Sequence, residues 1–108
     1  MHVALIPALA ALISFAATPV TANQLEEGRK LARKCSACHG KNGMSRDPEA
    51  PNLAGQSELY LEKSIKDFRD GHREDRRMTI VVKRLSNEDI KALAKWYSSF
   101  KITVEPPE

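Results

Sequence analysis

Both cysteines of the chain lie in one five-residue segment, Cys35-Ser36-Ala37-Cys38-His39. A C-x-x-C-H sequence is typical of the attachment site of a c-type haem. There, two thiols add to the two vinyl groups of the porphyrin, and the histidine after the second thiol faces the iron. The segment therefore predicts one covalently bound haem c, with Cys35 and Cys38 as anchors and His39 as an iron ligand.

Three other kinds of C-x-x-C site compete with this interpretation. A redox dithiol of the thioredoxin type belongs to a βαβ unit, whereas the flanks here are helix formers and glycines. A zinc site needs four ligands, commonly in two pairs, and the chain has no second C-x-x-C and no H-x-x-x-H. A disulfide is common in exported proteins, but one between Cys35 and Cys38 would close so short a loop that it would constrain little of the chain. Haem attachment is the favoured hypothesis.

The sixth position of the iron decides the function, and four side chains are candidates for it. Met44 follows His39 by only five residues, too few to pass around the porphyrin edge. Met78 comes 39 residues after His39, with a predicted helix between them. Its thioether would stabilise Fe(II) and raise the potential. Met78 is therefore the favoured sixth ligand. His72 in its place would give a low-potential site with two histidine ligands. An amine ligand such as Lys83, or an open sixth position, is the remaining alternative.

The second ring nitrogen of His39 also needs a partner, which fixes the ring and raises its basicity. Pro51 lies in a loop expected to return past the haem. Proline stiffens such a loop and offers only a carbonyl acceptor. The Pro51 carbonyl is therefore the predicted partner of His39.

Apolar periodicity predicts three main helices that position these residues, over 24–34, 58–70 and 87–100. Ser57 is a good N-cap, Gly71 a good terminator, and Ser86 with Asp89 forms a partial capping box. The segment 78–85 contains a β-branched run and is expected to be irregular or a short turn. These elements predict an all-α fold.

Gly28 lies inside the first predicted helix, where glycine costs about 1 kcal/mol relative to alanine. A close crossing of the first and last helices, against Trp96 or Tyr97, would explain it. The alternative is a tolerated, exposed position. We expect these two helices to pack together around the cofactor.

The N-terminal 22 residues are predicted to be a signal peptide, because an apolar stretch precedes the small-residue pattern Val20-Thr21-Ala22. An uncleaved anchor is the alternative. Residues 23–103 then form one monohaem domain, and 104–108 a disordered tail. A domain this small has a marginal core, which a buried haem would complete. The expected location is the periplasm, with no stable membrane insertion after cleavage.

The formal charge is +3, and the basic residues concentrate between positions 63 and 84. This region either docks an acidic partner or is an ordinary solvated surface. Nucleic acid is not an expected partner, because basic residues are not interleaved with aromatics and no recognition motif is present.

Four segments, in this order, resemble class I c-type cytochromes of the small bacterial monohaem c4/c5/c553-like group. The resemblance covers nearly all of residues 24–100. The segments are 28–40, 51–56 with Tyr60-Leu61, 68–73 with Met78, and Leu85-Ser86 with Asp89-Ile90 and 93–99.

The resemblance implies a cytochrome c-like fold, with the N- and C-terminal helices crossing around a haem attached to Cys35 and Cys38. It also implies His39 and Met78 as axial ligands, a Pro51 carbonyl bonded to His39, and electron transfer through the exposed haem edge. The chain departs from the family in the charged run 74–77, which predicts a looser loop before Met78.

The leading hypothesis is a periplasmic one-electron carrier that serves a redox protein donor and acceptor, such as a dehydrogenase, reductase or oxidase. No residue then acts as an acid, base or nucleophile. The alternative is the electron-accepting cytochrome subunit of a periplasmic dehydrogenase, for example a flavoprotein sulfide dehydrogenase. A haem enzyme or sensor with an open sixth position is the third hypothesis, and it leaves Met78 unexplained.

Overall fold

The computed structural model describes residues 20–108, and its ordered elements are all helical. No strand occurs in this part of the chain, as expected for an all-α fold. Within the same residues, no helix has the length and apolar character needed to cross a membrane. The predicted signal peptide, residues 1–22, lies almost entirely outside the described residues. The helices are α1 (Val20–Leu31), α2 (Ser36–His39), α3 (Glu58–Asp70), α4 (Met78–Val81) and α5 (Asn87–Ser98), with a 3-10 turn over Ala32–Lys34.

Local capping sets the ends of the two longest helices after the cysteine segment. The Ser57 hydroxyl accepts from the Tyr60 amide at 3.4 Å, and α3 ends at Gly71, whose φ of 84° is left-handed. At the start of α5, Ser86 and Asp89 each accept a bond at 3.0 Å from the other's backbone amide, which forms a complete capping box. These predicted caps are confirmed.

Helix α1 packs directly against α5, and Gly28 is the point of closest approach. A Cβ at position 28 would lie 2.1 Å from the Ala92 carbonyl oxygen and 2.7 Å from the Trp96 Cβ. Gly28 is buried, so the predicted close crossing is confirmed and the exposed alternative is wrong. The Trp96 ring meets Phe100 edge-on at 5.0 Å, and its indole N–H is buried with no hydrogen-bond partner among the described residues.

The core lies where α3 and the 3-10 turn meet α5. Its main buried cluster is Ala32, Leu61, Leu93, Ala94 and Tyr97. These side chains come from the predicted apolar stripes of α3 and α5, together with the end of the N-terminal helical segment. The cluster therefore joins three elements that are far apart in the sequence.

One element differs from the sequence expectation, and a second decides between two alternatives that the sequence left open. The first helical segment is not one helix, because α1 ends at Leu31 and a 3-10 turn leads into the short α2, which carries His39. The segment after position 77 begins with a one-turn helix, α4. Its β-branched residues have low helix propensity.

We expect Gly28→Ala to lower the free energy of unfolding by about 2 kcal/mol. The reason is that overpacking against a backbone carbonyl costs up to about 3 kcal/mol, of which helix propensity returns roughly 1 kcal/mol. Denaturant unfolding followed by circular dichroism measures the change. The exposed α1 substitution Lys30→Ala is the control and should stay within about 0.5 kcal/mol of wild type. Equal stability of the Gly28 variant and the control would contradict the close crossing.

Candidate functional site

One largely apolar cavity brings together the residues singled out from the sequence. Cys35, Cys38, His39, Pro51 and Met78 all line it. Its walls are completed by apolar side chains of α3, of the segment after α4, and of α5, among them Leu61, Phe68, Val82, Leu93 and Tyr97. The cysteine segment and the Met78 turn therefore line the same cavity.

His39 is the one buried polar or charged side chain of the described residues, with 6% of its surface exposed. Its Nδ1 lies 2.8 Å from the Pro51 carbonyl oxygen. A carbonyl oxygen only accepts hydrogen bonds, so Nδ1 carries the hydrogen and donates a hydrogen bond to the Pro51 carbonyl. The other ring nitrogen, Nε2, then has a free lone pair for a metal ion.

Cys35 and Cys38 are not joined by a disulfide, and both side chains are partly buried. They are three residues apart around the one-turn α2, whose amides bond back to the Cys35 carbonyl, so both side chains reach the same face. Burial raises the pKa of the Cys35 thiol, and the neighbouring Tyr97 hydroxyl partly opposes that rise. The pKa of Tyr97 is itself raised by burial and by Cys35.

Asp75 holds the turn that carries Met78. Its carboxylate accepts from the Arg77 amide at 2.8 Å and the Met78 amide at 2.9 Å. In return, the Asp75 amide donates to the Thr79 hydroxyl at 3.0 Å. This capping explains why a turn rich in β-branched residues is helical. The charged run 74–77 is thus fixed by hydrogen bonds, and the expected looser loop is not what the structure shows.

The other candidates for the sixth position lie elsewhere. Met44 is 54% exposed, and the imidazole of His72 is 74% exposed beside Asp67. Lys83 is exposed as well, and none of these three residues lines the cavity. Of the candidates named from the sequence, Met78 is the one that shares the cavity with His39.

Sequence reasoning missed two features of the site. One is the Asp75 cap, although an Asp three residues before Met78, with Thr79 after it, is a recognisable capping pattern. The other is the guanidinium of Arg77, whose Nη1 lies 3.8 Å from the Cys38 sulfur and 2.7 Å from the Asp47 carboxylate. No local pattern reveals that pairing, because 30 residues separate its partners.

These residues fit a haem. Two thiols, a histidine with a free Nε2 and a thioether line one apolar cavity. Imidazole and thioether are both ligands that haem iron accepts in proteins. An apolar surround suits a porphyrin and limits access of water to the iron.

Comparison with known proteins agrees with this fit. The family model described as "Cytochrome c" matches residues 25–101. Cytochrome c4 of Pseudomonas aeruginosa is 42% identical over 77 residues, which are 71% of this chain and 38% of that protein. The thiosulfate dehydrogenase electron acceptor of Thiomonas intermedia is 42% identical over 77 residues, covering 69% of this chain and 35% of that protein.

Among solved structures, reduced recombinant cytochrome c4 from Pseudomonas stutzeri superposes with a TM-score of 0.68 at 32% identity. The match covers 74% of this chain and 50% of that one. The chain therefore spans half or less of the length of each of these three proteins. The matched family model and this superposition show the cytochrome c fold, with terminal helices that cross beside the cofactor site. The chain belongs to the cytochrome c family, and its cofactor is a covalently bound haem c.

Proposed function

We propose that the protein is an exported one-electron carrier whose haem is attached to Cys35 and Cys38, with His39 and Met78 as axial ligands. One observation carries the proposal. A buried histidine with Nδ1 held by Pro51 shares an apolar cavity with a thioether on a capped turn. Such a pair of ligands would fill both axial positions and leave none for a substrate.

Each residue has a distinct part in this function. The Pro51 carbonyl keeps the proton on Nδ1, which holds the imidazole in one tautomer and one orientation. Met78 supplies a soft ligand that favours Fe(II), so it raises the potential. Leu61, Leu93 and the other apolar wall residues exclude water. When bound, haem supplies the Fe(III)/Fe(II) couple, and no side chain is assigned a role as acid, base or nucleophile.

The periplasm is the proposed location. Its support is the amino-acid pattern of residues 1–22, which is typical of a cleaved signal peptide. The proposed partners are redox proteins that reduce and oxidise the haem. Residues 23–103 would form the functional domain, and the exposed segment 104–108 its tail.

A second candidate is the electron-accepting subunit of an exported dehydrogenase. The Thiomonas intermedia relative is named as the electron acceptor of thiosulfate dehydrogenase. In addition, Tyr60 and Val81 line the cavity yet stay 52% and 50% exposed, and the neighbouring Leu59 and Ile80 are exposed by 80% and 74%. Exposed apolar side chains in and next to the cavity lining are suited to a lasting protein contact.

Replacing Met78 by Ala should abolish the far-red Met–Fe(III) charge-transfer band and lower the reduction potential. We expect a fall of roughly 0.2 V, a fraction of the range of about 0.8 V that axial ligands span. Absorption spectroscopy and protein-film voltammetry measure the two effects. Met44→Ala removes an equally long but exposed thioether and should change neither. An unaltered band in the Met78 variant would remove Met78 from the iron.

Replacing Cys35 and Cys38 together by Ala should leave any bound haem extractable by acidified acetone, because no thioether would link it to the chain. Wild-type haem should stay in the protein precipitate under the same treatment. The extracted haem is measured by its pyridine haemochrome spectrum. Haem that remained with the doubly substituted chain would contradict attachment at these two residues.

The two candidate functions differ in the state of the purified protein. A free carrier purified from the exported fraction should elute as a single small species on size-exclusion chromatography. No partner protein should accompany it in stoichiometric amount. A dehydrogenase subunit should co-elute with a larger partner that reduces its haem when substrate is added. Co-elution of that kind would replace the first candidate by the second.

A further inference from the structure

The side chain of Arg77, next to Met78 in the sequence, pairs with two carboxylates that lie 30 and 28 residues earlier in the chain. Its Nη1 lies 2.7 Å from the Asp47 carboxylate, and its Nη2 lies 3.3 Å from the Glu49 carboxylate. The Arg77 and Asp47 side chains are only 32% and 28% exposed, so this pair is less screened by solvent than a fully exposed one. In turn, the Arg77 guanidinium holds the pKa of the Asp47 carboxyl below its usual range.

Asp47 and Glu49 lie in the segment 45–51, which we call the bridging loop. The loop is bonded to the haem-attachment segment near both of its ends. The Ser45 hydroxyl donates to the Cys38 carbonyl at 2.8 Å, and the Pro51 carbonyl accepts from His39 Nδ1 at 2.8 Å. Inside the loop, the Asp47 amide donates to the Ser45 hydroxyl at 3.0 Å. The carboxylate that receives Arg77 is therefore held in place relative to His39.

We propose that Arg77 is a positioning residue for Met78, and that it acts through Asp47. This inference rests on the proposed ligation of the iron by Met78. The Asp75 cap gives the turn its local shape but does not place it relative to the His39 side of the cavity. The Arg77–Asp47 pair joins the turn to the bridging loop, and so keeps the thioether opposite the imidazole.

The neighbouring Arg76 provides a matched control. It carries the same charge one residue further from Met78, but its side chain is 75% exposed, and its one ion pair among the described residues is with the exposed Glu49 of the bridging loop, at 3.0 Å. Exposed pairs of this kind contribute little to stability. If only the charge mattered, replacing either arginine by Ala would have a similar effect. If Arg77 positions Met78, replacing Arg77 should have the larger effect.

The test uses the ferric holoprotein and the rate at which cyanide binds to its iron, which reports how often the sixth position opens. We expect Arg77→Ala and Asp47→Asn each to raise this rate about tenfold, the factor that corresponds to about 1.4 kcal/mol. The doubly substituted protein should bind no faster than either single variant, because each change already removes the Arg77–Asp47 pair. Arg77→Lys, which keeps the charge near Asp47, should restore most of the slow rate, and Arg76→Ala should stay within about twofold of wild type.

Three results would overturn the proposal. These are a wild-type rate in Arg77→Ala, an equal acceleration in Arg76→Ala, or effects of the two single changes that multiply in the double variant. The far-red Met–Fe(III) charge-transfer band distinguishes a failure of the role proposed for Arg77 from a failure of the proposed function. A wild-type protein that lacks the band, or a Met78→Ala variant that binds cyanide no faster, refutes ligation by Met78 and this inference together. A wild-type band combined with an unaltered Arg77→Ala rate refutes only the role of Arg77.

Discussion

The contact between α1 and α5 at Gly28 is the constraint on which the rest of the structure depends. Without a Cβ at that position, the backbone of one helix rests on the Ala92 carbonyl of the other. The chain leaves α1 only a few residues before Cys35, so this crossing determines where the cysteine segment lies relative to α5. Tyr97 of α5 then lies beside Cys35 and forms part of the cavity wall. A wider crossing would move the whole attachment segment away from its cavity.

The bridging loop relates the two sides of the cavity to one another. It contacts His39 through Pro51 and the Met78 turn through Asp47 and Glu49. Its backbone has no helix or strand to hold it, so its position depends on these individual bonds and on Ser45. A short irregular segment thus has a structural role that a regular element has in larger domains.

Features that depend on near neighbours in the chain were predictable from the sequence. Ser57, Gly71 and the Ser86–Asp89 box act within a few residues, and the apolar stripes of α3 and α5 follow from helical periodicity. The C-x-x-C-H segment indicated the cofactor because its chemistry needs those residue types in that order. The Arg77–Asp47 pair was not predictable, since its partners are 30 residues apart and each is locally just one charge among many. The α4 turn was underestimated because its β-branched residues oppose a helix and the Asp75 cap outweighs them.

Trp96 has a consequence of a different kind. It is the sole tryptophan of the chain, and it lies on the α1–α5 crossing with its indole N–H enclosed and without a hydrogen-bond partner in residues 20–108. An indole in such a setting is a built-in optical probe, since its emission shifts to longer wavelength when water reaches the ring. A haem bound in the cavity would accept the same excitation and quench it. The fluorescence of one residue therefore reports, without any label, both the closure of the helix pair and the loading of the protein with its cofactor.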